Sequence, residues 1–180
     1  MPDTKLLIGE KVYLRPIVPA DLPHVCRWLN DPETRRLIGE IKPKSPADAE
    51  EWLQRIYEDP NRIWFVVVLR ENDRVIGEAG LLRIFRPWRI TDASMIIGEK
   101  DATGKGYGTE AMHLLLDYAF NTLNLHRVAL GVFDFNERAL RFYEKCGFRR
   151  EGALRDGYYC DGAFHNVILM SILDTEFGKD

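Results

Sequence analysis

The sequence predicts a mixed α/β (α+β) fold in a single domain over residues 1–180. Residues 62–70, "RIWFVVVLR", form an apolar, β-branched run typical of a buried strand. The turn "ENDR" and a second strand over 75–85 complete a hairpin. Residues 109–123, "TEAMHLLLDYAFNTL", carry apolar residues at helical spacing, and a strand over 127–134 follows. These segments predict a sheet with helices packed against it.

The other elements follow from local patterns. Apolar and polar residues alternate over 11–18, which predicts a strand. Residues 19–38 predict two short helices with a break at Asn30–Pro32. Ser45 is placed to cap a helix over 45–59, and Asn136 to cap a helix over 136–146 that ends at Gly147. Further strands are predicted over 91–100, 148–154 and 163–173.

Composition excludes several classes of protein. Hydrophobic content of 46% and charged content of 29% are typical of a globular domain with a sizeable core. The net charge of −3 and the absence of a basic run predict no nucleic-acid partner. No stretch approaches the roughly 20 apolar residues of a membrane helix, and the N-terminus has no signal-peptide pattern, so we expect no membrane partner.

Cysteine and histidine usage bears on compartment and metal content. The three cysteines lie far apart without a CxxC motif, which predicts a reducing, cytoplasmic location. The four histidines show no metal-binding spacing, so we expect no metal site.

Residues 103–108, "TGKGYG", form a glycine-rich loop before the predicted helix. A P-loop is excluded, because Gly106 rather than Ser or Thr follows Lys105. The loop also lacks the GxGxxG spacing of a dinucleotide site. Backbone amides and the positive end of the helix could bind a pyrophosphate without a metal. A plain turn between strand and helix fits the loop equally well.

A second segment, "NERALRFYEKCGF" over 136–148, places Ala139, Phe142, Tyr143 and Cys146 on one helical face. The pattern alone favours a core stripe with the Tyr143 hydroxyl at its rim. Cys146 is better explained as a buried thiol than as a nucleophile, because no histidine is arranged locally to activate it.

Taken together, these segments resemble a known family. The motif N-x-x-A-x-x-x-Y-x-x-x-G-F and the stretch "GKGYGTEAMHLLLDYAFNTLNLHRVALGVFDFNERALRFYEKCGFRREGALRDGYYCDG" resemble the GNAT superfamily of acetyl-CoA-dependent N-acetyltransferases. The resemblance is to the branch of ribosomal-protein N-terminal and spermidine N-acetyltransferases, which "LRPIVPADL" also resembles. It implies a GNAT-like, mostly antiparallel central sheet, splayed near the cofactor and flanked by helices on both faces. It is weak over residues 30–60.

The resemblance implies acetyl-CoA as acetyl donor and no metal. The family's Q/R-x-x-G-x-G/A loop falls on Thr103, Gly106 and Gly108, with Thr103 replacing the usual Gln or Arg. Asn136 would contact the pantetheine arm. The strand residues expected to pair with that arm are Ile96, Ile97 and Gly98. The loop residues expected at the pyrophosphate are Thr103, Gly104, Lys105, Gly106, Tyr107, Gly108 and Thr109.

The resemblance also implies catalytic roles. Tyr143 falls where the family places its general acid, and an amide near Ile97 could stabilise the oxyanion. An attacking amine must first lose a proton, since a lysine-like amine has a pKa near 10.4. Asp92 occupies the position of the base and could act through a water chain. A solvated strand-end carboxylate, with deprotonation by bulk water, fits Asp92 as well.

The acceptor is expected to be a primary amine on a small molecule or peptide: a polyamine, a protein N-terminus, an amino sugar or a drug-like amine. The acidic residues over 48–59 could attract a cationic amine, although a solvated helix face explains them better. A homodimer is a family expectation. A non-catalytic acetyl-CoA sensor on the same fold is the alternative function.

Overall fold

The computed structural model describes residues 5–178, which fold around one eight-stranded sheet. The predicted domain also includes residues 1–4 and 179–180, which lie outside the described residues. The strands are β1 (Leu7–Ile8), β2 (Val12–Pro16), β3 (Ile63–Leu69), β4 (Val75–Phe85), β5 (Ile90–Ile97), β6 (Arg127–Phe133), β7 (Arg149–Cys160) and β8 (Ala163–Leu173).

Five α-helices connect the strands: α1 (Leu22–Asn30), α2 (Pro32–Ile38), α3 (Pro46–Glu58), α4 (Tyr107–Asp117) and α5 (Glu137–Lys145). Two predicted caps are confirmed, because Ser45 accepts from the Asp48 amide at the start of α3 and Asn136 accepts from the Ala139 amide at the start of α5. The predicted break between α1 and α2 is also confirmed, with Asp31 capping α2.

Strand order across the sheet is β1-β2-β3-β4-β5-β6-β8-β7. Every pairing is antiparallel except that between β5 and β6. This parallel pairing covers only Ile90–Asp92 against Arg127–Ala129, so the two strands diverge beyond it. The splay that the resemblance implied is therefore present, between β5 and β6.

The two faces of the sheet bury separate apolar clusters. The larger includes residues of α4 and α5, among them Leu115 and Leu140, packed on the β-branched and aliphatic residues of the sheet. The smaller includes Trp28 of α1 and Leu53 of α3 on the opposite face. Helices therefore cover both faces, as predicted, and the splayed strands lie between these two layers.

Three differences from the sequence prediction are larger than a shift of a few residues at the end of an element, or concern a whole element. The short strand β1 was missed, since two residues carry no readable alternation. β7 runs to Cys160 rather than residue 154, because pairing with β8 holds a polar segment extended. The predicted helix over 109–123 ends as α-helix at Asp117 and continues as a π-helical turn, Tyr118–Thr122.

Candidate active site

A cavity of about 370 Å³ opens where β5 and β6 diverge. It brings together segments that are far apart in the chain: α2, the end of β5, the glycine-rich loop, the start of α4 and one face of α5. Of the residues predicted from sequence, those that line it are Ile96, Ile97, Gly98, Thr103, Gly104, Gly106, Gly108, Thr109, Asn136 and Tyr143.

Three predicted residues do not line this cavity. They are Asp92, Lys105 and Tyr107. The partly buried Tyr107 side chain packs against the larger apolar cluster instead. Lys105 is exposed on the loop.

The glycine-rich loop has the geometry of an anion cradle. Gly104 and Gly106 have φ angles of +75° and +85°, which L-residues rarely adopt. No atom lies within 4 Å of a Cβ built on either residue, so the space beside the loop is open. Gly106 also occupies the N-cap of α4 without a side chain, which leaves the first helical amides directed at that space.

Thr103 departs from the family motif, and the structure shows where its side chain goes. Its hydroxyl donates to the Lys100 carbonyl at 2.8 Å. The side chain therefore closes the loop on itself, and the backbone amides are left as the loop's donors toward a phosphate.

The edge of β5 that faces β6 is open beyond Asp92. Gly98 N donates to the Ile76 carbonyl of β4 at 2.9 Å. Since donors alternate along an antiparallel strand, the amides of Ile97 and Met95 point away from β4 and toward the gap. An extended ligand could bind there as an added strand, and an oxyanion could accept from the same amides.

Tyr143 lies on α5 with 9% of its surface exposed, packed edge to face on Phe142 and Phe148. Burial raises the pKa of Tyr143 well above that of an ordinary phenol. The hydroxyl therefore stays protonated at neutral pH and can act as a donor into the cavity. Tyr143 therefore belongs to the core, as its helical pattern predicted, and also lines the cavity.

Asp92 is held by an ion pair. Its Oδ2 lies 2.6 Å from Nε of Arg83 on β4, and the Asp92 side chain is 28% exposed. Asp92 stands on β5 at the last residue that pairs with β6, directly before the strands diverge. A role as base stays a prediction.

Several lining residues were missed by sequence reasoning. Arg138 and Lys145 of α5 place two cations at the cavity, and Lys100 adds a third. Cations are common on charged surface helices, so their presence in the sequence does not indicate a binding site. Arg138 and Lys145 are seven residues apart, which places them on one face of the helix. The other missed residues are Glu33, Thr34, Leu37 and Ile38 of α2, Met95, Ala102, Ala139 and Phe142.

A buried carboxylate anchors the loop from behind. Glu99 accepts hydrogen bonds from Arg27, from Nε1 of Trp28 at 2.9 Å and from Arg74 at 3.0 Å. Burial alone would raise the pKa of Glu99, but these donors outweigh it and the pKa is lowered. The ionised carboxylate therefore ties the start of the loop to α1 and to the β3–β4 turn.

Similarity to known proteins identifies the family. Residues 11–149 match the family described as Acetyltransferase (GNAT) domain. The chain is 30% identical over 169 residues to the spermidine N(1)-acetyltransferase of Escherichia coli K12, covering 94% of this chain and 89% of that protein. It is 40% identical over 175 residues to YdaF of Bacillus subtilis, provisionally assigned as a ribosomal N-acetyltransferase, covering 94% and 95%.

A solved structure gives the same result. Spermidine N-acetyltransferase from Vibrio cholerae, in complex with CoA and spermine, superimposes with a TM-score of 0.88 at 28% identity, covering 94% of this chain and 99% of that one. The chain belongs to the GNAT acetyltransferase family. It is an acetyl-CoA-dependent N-acetyltransferase. Most of the residues predicted to bind the donor line its cavity.

Two kinds of feature are absent from the described residues. Over 5–178, no helix is long and apolar enough to cross a membrane. The same residues contain no group of three or more His, Cys, Asp or Glu side chains that could hold a metal ion.

Proposed function

We propose that this enzyme transfers the acetyl group by direct attack of a primary amine on acetyl-CoA in a ternary complex, with Tyr143 as general acid. The single observation that carries the proposal is the convergence of an open strand edge, a metal-free anion cradle and a buried phenol on one cavity. The amide edge of Ile97 and Met95 would hold the pantetheine arm, alongside Asn136.

The loop amides would bind the pyrophosphate of the donor. Arg138 and Lys145 supply charge at the same cavity that the neutral amides do not. A phosphate-bearing ligand gains more from charge-assisted hydrogen bonds than from neutral ones, so these cations would add to donor affinity.

The neutral amine nitrogen attacks the thioester carbon, the carbonyl oxygen becomes an oxyanion, and an amide N–H donates to it. The carbonyl re-forms as the C–S bond breaks, and the Tyr143 hydroxyl protonates the departing thiolate. The nitrogen, which became cationic on attack, loses one proton, and this proton returns the Tyr143 phenolate to the phenol. Burial raises the pKa of thiols as well as phenols, so the thiolate in the crevice is a stronger base than in water.

An acetyl-cysteine intermediate is disfavoured. Burial raises the pKa of Cys146 to about 12, so the thiol has little thiolate at neutral pH. None of the three cysteines is among the lining residues of the cavity in the described chain. Direct attack therefore explains the arrangement with fewer steps.

The proton of the incoming ammonium must leave before attack. Asp92 is proposed to accept it through water, from its position at the start of the splay. The acceptor is proposed to be a polyamine or a protein N-terminus. The Escherichia coli relative is named a spermidine acetyltransferase and the Bacillus subtilis relative a ribosomal one, which supports these two classes.

The acidic residues of α3 do not support an acceptor wall. Asp48 caps its own helix through Ser45, Glu51 pairs with Arg55, and Glu58 accepts from Gln54. The solvated-face interpretation explains them.

Release of CoA thiol, measured with a thiol reagent across polyamines, peptides with free N-termini and amino sugars, tests the function. We expect release of CoA thiol with at least one of these classes of amine. We also expect acetyl-CoA to be bound before the chemical step. Acetyl-CoA binding without release from any amine would contradict the enzyme and support a sensor.

Compartment and assembly complete the proposal. Three free cysteines suit a cytoplasmic location, where thiols stay reduced. A homodimer or larger assembly is proposed, since one structure of the Vibrio cholerae relative, with a TM-score of 0.80, is described as dodecameric.

A further inference from the structure

Helix α2 forms one wall of the cavity while remaining lightly packed. Four of its residues line the cavity, yet none of its residues is buried. From the same helix, Arg36 reaches the β7–β8 hairpin, where its Nε lies 2.5 Å from Oδ2 of Asp161. This ion pair therefore joins α2 to the edge of the sheet that β7 and β8 form.

The Arg36 guanidinium also lies against an aromatic ring. Its central carbon is 4.4 Å from the centroid of Phe135. Phe135 belongs to an aromatic cluster with Phe133 and Tyr158. The rings of Phe133 and Tyr158 stack with their centroids 3.9 Å apart. A carboxylate and an aromatic face together are the groups that recognise an organic cation.

This aromatic cluster borders the donor cavity. Phe135 directly precedes Asn136, which lines the cavity, and Gly39 directly follows Ile38, which also lines it. A Cβ built on Gly39 would lie 2.9 Å from the ring of Phe133, so the end of α2 rests on the cluster. The cation position and the cavity are therefore neighbours along α2 and along the segment that joins β6 to α5.

We propose that Phe135, Tyr158 and Asp161 form a subsite for a second, non-reacting ammonium group of the acceptor. Arg36 fills this subsite when no acceptor is bound. The inference rests on the proposed function, because it assumes that the chain acetylates amines.

The internal cation is held weakly enough to be displaced. The Arg36 and Asp161 side chains are 45% and 63% exposed, and exposed ion pairs contribute little to stability. A second ammonium group on the acceptor stays protonated near neutral pH, since aliphatic amines have pKa values near 10. It can therefore replace the guanidinium on the same ring and carboxylate while the reacting amine is neutral.

His165 and Asp134 stand on the other side of the subsite. His165 Nδ1 lies 3.3 Å from Asp134 Oδ1, and its ring packs edge to face on Phe135 at 4.7 Å. A second carboxylate beside the ring strengthens the preference for a cation over a neutral chain end.

Steady-state kinetics with a matched pair of acceptors tests the subsite. Cadaverine carries two amino groups and pentylamine carries one on a chain of equal length. We expect Arg36→Gln to lower KM for cadaverine about threefold and to leave KM for pentylamine and acetyl-CoA unchanged. Asp161→Asn should raise KM for cadaverine about threefold, and Phe135→Leu should act in the same direction.

The opposite signs separate a subsite from a structural tie. If Arg36 and Asp161 only fasten α2, both variants break the same ion pair and shift the cadaverine-to-pentylamine KM ratio in the same direction. Arg55→Gln, which breaks an exposed ion pair on α3, is the control for loss of one charge. Thermal melts check that every variant is folded.

The outcomes also separate this inference from the proposed function. Failure of the wild type to release CoA with every member of the acceptor panel, these two amines included, would overturn the function and the subsite with it. Release with other acceptors but with neither amine, or turnover of both amines with a KM ratio that no variant changes, would overturn the subsite alone.

Discussion

Nε1 of Trp28 on α1 donates to Oε1 of Glu99 at 2.9 Å, and one helical turn, Lys100–Ala102, joins Glu99 to the glycine-rich loop. The same indole covers Gly98, where a Cβ would lie 2.2 Å from the ring. One tryptophan thus requires glycine at the end of β5 and orients the carboxylate that fastens the loop. The first helix of the chain and the donor site are therefore mechanically connected.

Glu99→Gln should weaken donor binding more than it affects chemistry. The amide cannot pair with Arg27 and Arg74 as an ionised carboxylate does, and the loop loses its anchor. We expect Kd for CoA, measured by calorimetry, to rise about tenfold, with kcat at saturating acetyl-CoA close to wild type. Asp101→Asn removes an exposed partner of Arg74 and should have a smaller effect. Equal effects of the two variants would contradict the anchor.

Gly106→Ala should distort the anion cradle. Its φ of +85° disfavours an L-residue by about 1–2 kcal/mol, so the amides at the start of α4 would shift. We expect CoA affinity to fall up to about tenfold by calorimetry. Gly152→Ala is the control, because an added Cβ there meets nothing within 4 Å and φ is not positive. Unchanged CoA affinity in Gly106→Ala would refute the role of the cradle.

Tyr143→Phe should lower kcat at least about a hundredfold, because the thiolate loses its proton donor. Kd for acetyl-CoA should change little, since the ring and its packing remain. Tyr118→Phe removes a hydroxyl from a tyrosine that packs on Phe65 and does not line the cavity. That control should behave as wild type. A kcat near wild type in Tyr143→Phe would exclude it as the acid.

Asp92→Asn should lower kcat/KM about a hundredfold near neutral pH if the carboxylate accepts the amine's proton. The rate of the variant should recover as pH rises, because bulk deprotonation of the amine increases. Arg83→Gln removes the ion-pair partner, keeps the carboxylate and should stay close to the wild-type profile. An Asp92→Asn profile that overlays wild type would assign deprotonation to bulk water.

Glu78 predicts a pH dependence of stability that is independent of catalysis. It is 3% exposed in β4, with Nε1 of Trp64 as a donor at 3.2 Å. Burial raises the pKa of Glu78 to about 7, against 4.5 for an ordinary glutamate. The folded state therefore keeps a proton that the unfolded chain releases.

The free energy of unfolding should fall by roughly 3 kcal/mol as pH rises from about 4.5 to about 7, and this contribution should be constant above that range. Glu78→Gln cannot ionise and should lack this slope in urea titrations at a series of pH values. Glu71→Gln, on an exposed turn, should keep it. A wild-type slope in Glu78→Gln would show that another group titrates.

The prediction of elements succeeded where local chemistry is strong. The Asn136 and Ser45 caps, the break before Pro32 and the apolar run of β3 are each encoded within a few residues. The end of β7 was not predictable, since residues up to Cys160 are extended through pairing with β8 rather than through their own propensity.

The candidate site divides in the same way. Gly104 and Gly106 are glycines because the backbone there has positive φ, so the loop could be recognised from the sequence. The segment 136–148, which contains Tyr143, carries the resemblance to the family. Arg138, Lys145 and the four lining residues of α2 carry no such signature. Whether these residues line the cavity depends on which faces of α2 and α5 are directed toward the gap between β5 and β6.

The sequence by itself determined the class of fold, because turn glycines, helix caps and apolar periodicity act over short distances, and its family resemblance implied the donor. Tertiary structure alone decided which charged groups meet. It brought Glu99 to Arg27 and Arg74, Asp92 to Arg83, and Arg36 to Asp161 across 125 residues of chain. Ion pairs and aromatic contacts of this kind depend on how strands and helices are stacked, a relation that no local pattern contains.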